Sequence, residues 1–107
     1  VDEHTVQAIE DVARQVAGVE HVDRVRARWT GHRLEAEVDI AVPGHLTVQA
    51  AHAVAEHVHH DILHRVPHAE HVAVHVNPAH DPTAHELTGH HASAEARRRY
   101  RERRSLI

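Results

Sequence analysis

Apolar and polar positions alternate along this chain in two distinct periods. Between residues 2 and 17, Val6, Ile9, Val12, Ala13 and Val16 recur three or four apart and share one face of a helix, with Asp2 as its N-cap and Gly18 as its stop. From Val19 to Trp29 the period becomes two: Val25, Ala27 and Trp29 lie on one side, Arg24, Arg26 and Arg28 on the other. Thr30, Gly31, His32 and Arg33 read as a turn. The return strand runs from Leu34 to Val42, with Leu34, Ala36, Val38, Ile40 and Val42 inward and Glu35, Glu37 and Asp39 outward.

The two strands test each other. With Trp29 opposite Leu34, Ala27 meets Ala36 and Val25 meets Val38 on the apolar side. The same register sets Arg28 against Glu35, Arg26 against Glu37 and Arg24 against Asp39, so both faces demand one alignment.

Pro43, Gly44 and His45 break the strand, and Thr47 caps a second helix that runs to about Val66. Leu46, Val48, Ala51, Val54, Val58, Ile62 and Val66 form its apolar stripe, and Pro67 closes it. In His71 to Asn77, Val72, Val74 and Val76 face one way and His71, Ala73, His75 and Asn77 the other, with Pro78 ending the strand. The expected fold is α+β and ferredoxin-like, in the order αββαβ, with two helices on one face of a small mixed three-stranded sheet. A right-handed crossover lays the third strand parallel to the second, which brings His75 near Asp39. Residues 1–78 form this domain; residues 79–107 are a His/Arg-rich tail, partly helical or disordered, whose arginines could touch anionic lipid or an acidic neighbour.

Composition narrows the function. The 107 residues hold one Trp, one Tyr, no Phe and no Cys, so the core is thin and aliphatic, and thiolate zinc sites and disulfides are absent. Sixteen His make the surface acid-sensitive: net charge is −4 with every imidazole neutral, and sixteen added protons take it to +12. No run approaches the roughly 18 apolar residues of a membrane span, and the chain as given reads as soluble. No nucleophile motif, HExxH, phosphate loop or dinucleotide loop occurs, so catalysis is not expected. Nor is nucleic-acid binding, because the acidic globular part lacks an aromatic platform.

Two groups could hold metal. On the second helix His57, His60 and His64, with Glu56 and Asp61, stand at helical spacing. From distant parts of the chain, Asp39, His52 and His75 with Asn77 supply imidazole and oxygen donors suited to Zn²⁺, Mn²⁺, Co²⁺ or Ni²⁺. The plainer alternatives are that Asp39 pairs with Arg24 and that His52 fills a gap beneath the sheet.

The succession Gly18-Val19, Val25-Arg26-Ala27-Arg28, Gly31, Ala36-Glu37-Val38-Asp39-Ile40, Thr47-Val48-Gln49-Ala50-Ala51-His52, Val58, Ile62-Leu63, Pro67 and Val74-His75-Val76-Asn77-Pro78 resembles the C-terminal cytoplasmic domain of the cation diffusion facilitator family. The resemblance covers residues 3 to 78. It implies a metal-sensing, homodimerising, metallochaperone-like domain on the cytoplasmic face of a bacterial membrane. Such a domain lies beneath the transmembrane part of the same transporter, which exchanges Zn²⁺ or a related divalent ion for protons. It also implies metal-binding positions at Asp23, Asp39, His52, His75 and Asn77. Several members carry His at the first two of these and Asp at the last. Asn77 offers a neutral oxygen where a carboxylate could bridge two ions, which points to a single site, and strand parity sets Asp23 opposite Asp39. Two other readings stay open: a dimer-stabilising module without a regulatory site, and a free-standing metal-buffering protein.

Overall fold

A computed structural model describes residues 3–79. The elements are α1 (Glu3–Arg14), β1 (His21–Thr30), β2 (Arg33–Pro43), α2 (Val48–Arg65) and β3 (Ala69–Ala79). The sheet order is β1-β2-β3, with β1 and β2 antiparallel and β2 and β3 parallel. The expected αββαβ fold is therefore present, with the predicted crossover through α2.

Every predicted hairpin pair is in register, from Trp29 against Leu34 to Arg24 against Asp39. The connection is tighter than the four-residue turn expected, since Thr30 pairs with Arg33 and only Gly31 and His32 remain as the loop. Gly31, at φ +64, supplies the positive φ that a glycine-first two-residue hairpin needs.

Both helices cover one face of the sheet. Ile9, Val12 and Ala13 of α1 and Val58 and Ile62 of α2 meet Leu34, Ala36, Val38, Ile40 and Val42 of β2 in a single aliphatic core. Ile9, Leu34, Val38, Ile40, Val58 and Ile62 are fully enclosed, and each such burial contributes about 1.5–3 kcal/mol. Thr47 caps α2 as expected: its Oγ1 accepts a hydrogen bond of 3.0 Å from the Ala50 N–H. Gly18, at φ +97, lies where a Cβ would stand 2.7 Å from Val54 Cγ2, so this glycine sets how closely the turn after α1 approaches α2.

Three further expectations are corrected. The α1 helix ends at Arg14, and a run of turns carries the chain to Gly18. Val48 is 88% exposed; it sits about 60° of arc from Ala51, at the rim of the stripe in the first turn of α2. Pro78 does not end the third strand, because β3 is at the sheet edge, where a missing N–H is tolerated, and Pro78 stays in register with Val42. The proposed Asp2 cap and the tail beyond Ala79 lie outside the described residues.

Candidate metal-binding face

Helices cover one side of the sheet; the side chains of the other side stand uncovered in rows. Because the three strands share register, the rows read Arg28–Glu35–His71, Arg26–Glu37–Ala73 and Arg24–Asp39–His75, with Ala41–Asn77 beyond. Each strand thus contributes one chemical column: arginines from β1, carboxylates from β2, and imidazoles with an amide from β3.

The first row is locked by an ion pair, Arg28 Nε to Glu35 Oε2 at 2.8 Å. The hydrogen bond from Arg28 holds the Glu35 carboxyl below the usual carboxylate range against a smaller desolvation effect, with the charges of Arg28 and His71 adding to the lowering. The third row is different. Asp39 faces Arg24 in register, yet among the described residues it makes no ion pair, so the expected Arg24 partnership does not engage this carboxylate. On its other side Asp39 neighbours His75, one strand spacing of about 4.8 Å away. Arg24, Arg26, Glu37, Asp39 and His75 line a depression of about 140 Å³. A wider groove of about 660 Å³ continues from it past Arg28, Glu35, His71 and Ala73.

The five sequence-derived positions divide. Asp39 and His75 are adjacent, and Asn77 lies two residues along β3 on the same face. Asp23 is the extra residue of a β-bulge between Val22, paired with Ile40, and Arg24, paired with Asp39. The bulge interrupts alternation, so parity does not assign Asp23 to the helix-covered face as the sequence implied; the residue is exposed beside the Asp39 row. His52 lies apart. It is exposed on α2, on the helix side of the sheet, with Nε2 3.5 Å from Glu56 Oε1, and it fills no gap beneath the sheet. Among the described residues no group of three or more His, Asp or Glu converges tightly enough to hold an ion alone. One chain therefore presents two adjacent donors, a neighbouring amide and an open face.

Glu37 was missed as a site residue. It lines the depression with His75, and its signal was available: it stands two positions before Asp39, on the same strand face. No helix among the described residues is long and apolar enough to cross a membrane.

Known proteins resemble this chain in sequence and in fold. The family model described as the cytoplasmic domain of cation efflux proteins matches residues 1–79. A probable cation efflux system protein of Mycobacterium tuberculosis is 37% identical over 79 residues, which is 74% of this chain and 24% of that protein. The manganese efflux system protein MneP of Bacillus subtilis is 31% identical over 78 residues, 73% of this chain and 26% of its own length. The chain thus spans about a quarter of the length of these relatives. Among solved structures, a nickel form of a substituted MamM CTD superposes with a TM-score of 0.70 at 28% identity, covering 72% of this chain and 98% of that one. A cadmium form superposes with a TM-score of 0.69 at 30% identity, covering 71% and 95%. By sequence and by fold, the chain belongs to the cytoplasmic domains of the cation efflux, or cation diffusion facilitator, family.

Proposed function

We propose that this domain is the metal-responsive, homodimerising part of a divalent-cation efflux protein, and that metal binding between two copies regulates the attached membrane part. The observation that carries this reading is the Asp39–His75 pair, in register on an uncovered face and short of a full shell. Four-coordinate zinc takes three or four protein ligands, and a second copy of the same face is the simplest source of the remainder.

The donors fit a divalent transition ion. Asp39 and His75 would hold it, Asn77 would add a neutral oxygen, and Asp23 would join from the bulge; His52, on the helix side of the sheet, stands outside this face-to-face set. The ion would supply the positive charge that lets two acidic β2 columns, Glu35, Glu37 and Asp39, approach one another. Zn²⁺ is the first candidate. Carboxylate and amide oxygens beside one imidazole also suit Mn²⁺, Co²⁺ or Ni²⁺, and the manganese efflux relative keeps Mn²⁺ in contention. Ligands that bind the closed dimer better than the open one shift its population by that difference in affinity. In this reading the domain sits at the cytoplasmic face of the membrane, and the membrane part exchanges the ion for protons.

The test is calorimetric titration of the metal-free chain with Zn²⁺ and Mn²⁺ beside His75→Ala, with sedimentation to follow association. Loss of the tight phase in His75→Ala, together with a metal-dependent rise in dimer in the wild type, supports the proposal. Tight Zn²⁺ binding of undiminished stoichiometry in His75→Ala, or an unaltered Mn²⁺ phase, sinks it. Dimerisation that ignores metal altogether favours the second reading, a module that only stabilises the dimer.

A further inference from the structure

Five of the eighteen residues of α2 are histidines, and the sheet site, on the other side of the sheet, draws on none of them. Residues four apart on a helix lie one above the other on the same face. His52, Glu56, His60 and His64 follow that spacing through three successive turns. The structure divides the run into two contacts: His52 Nε2 meets Glu56 Oε1 at 3.5 Å, and the rings of His60 and His64 lie 4.2 Å apart between centroids at a 42° tilt. Both rings of the second contact are exposed.

We propose that His60 and His64 form a second metal site, a two-imidazole chelate on α2 that takes a borderline divalent transition ion such as Cu²⁺, Ni²⁺ or Zn²⁺, with water completing the shell. The rings already stand within one another's reach and need only turn their nitrogens toward a shared ion. Two helical histidines at this spacing are a recognised pair of metal ligands. Both sites follow the Irving–Williams order, but an all-imidazole pair lacks the hard oxygen donors of the sheet face and discriminates more strongly against Mn²⁺. The sheet lies between α2 and the Asp39–His75 face, so the two sites share no ligand and fill independently. His57 also stands near the pair, but no contact joins it to either ring among the described residues.

The experiment titrates the whole chain with Ni²⁺ in the His75→Ala background, where the sheet site is disabled, and repeats it with His60→Gln, His64→Gln, His57→Gln and the His60→Gln/His64→Gln pair. All these side chains are exposed, and circular dichroism verifies folding. Expected is one Ni²⁺ phase weakened about 10–100-fold by either His60→Gln or His64→Gln, hardly further by the pair, and unchanged by His57→Gln. Titration with Mn²⁺ shows no such phase. The inference is overturned if each substitution removes only its share of diffuse binding across the sixteen histidines, an adventitious ion only, or if His57→Gln is as harmful as His60→Gln. Because the background lacks His75, failure here leaves the sheet-face reading standing, and failure of that reading leaves this one.

Discussion

Asp39 and His75 occupy facing register positions on parallel strands, separated in sequence by the whole of α2 and joined in space by one row of the sheet. The pairing that holds them together is made by the main chain, so neither side chain is needed for it. Asp39→Asn and His75→Ala should therefore each lower metal affinity about 10–100-fold while changing stability by less than about 0.5 kcal/mol, because both are surface substitutions. Titration calorimetry paired with urea unfolding checks this. A large loss of stability in either variant would mean that weakened metal binding reports damage to the fold.

Gly18 should tolerate no side chain. Its φ of +97 disfavours any L residue, and a Cβ there would stand 2.7 Å from Val54 Cγ2. Gly18→Ala should cost about 1–3 kcal/mol in urea unfolding, and Val54→Ala in the same chain should return part of that loss by removing the clash. No recovery would assign the whole cost to the backbone.

His68 is the one non-glycine residue of positive φ among the described residues, at 67°, and it leads the chain from α2 into β3. Its carbonyl accepts the Leu34 N–H at 2.8 Å, and its ring lies 5.8 Å from that of Trp29. His68→Gly should stabilise the domain by up to about 1 kcal/mol, and His68→Val should destabilise it by about 1–2 kcal/mol. Thermal unfolding followed by Trp29 fluorescence decides the sign. Destabilisation by glycine would show that the ring contact outweighs the backbone.

The Arg28–Glu35 pair makes a pH prediction. Folding lowers the Glu35 carboxyl below its ordinary 4.5, so the unfolded chain takes up this proton first as acid is added. The contribution of the pair is then full above that ordinary value and is lost as pH falls through the lower folded one. Glu35→Gln should be slightly less stable than wild type at neutral pH and equal to it at the acid end. Arg28 is exposed and Glu35 half-buried at the surface, so solvent screens the pair and the neutral-pH gap stays small. A gap that widens on acidification would contradict the assignment.

The hairpin was legible in the sequence because two independent constraints agreed: the apolar pairs on one side and the Arg–carboxylate pairs on the other permit only one register. The parallel neighbour of β2 followed from the handedness of a crossover through an amphipathic helix. The bulge at Asp23 was hidden, since neither glycine nor any break in hydropathy marks it, and it displaces parity at a proposed ligand. Val48 misled because periodicity gives the direction of a side chain but not where the covering layer ends. His52 was grouped with Asp39 and His75 from the donor types and element order, and again by resemblance; its position across the sheet depends on how α2 packs, which spacing does not encode.

The parallel pairing of β2 with β3 has a kinetic consequence. The β1–β2 hairpin closes over two residues, whereas Asp39 and His75 are brought together across the whole of α2 and need a far longer loop to close. In the unfolded ensemble these two donors are held apart by an unclosed loop, so an ion finds them paired only in the finished fold. Metal on that face would then act as a clamp applied last: it would slow unfolding, leave the early hairpin untouched, and make the lifetime of the folded domain a measure of free metal.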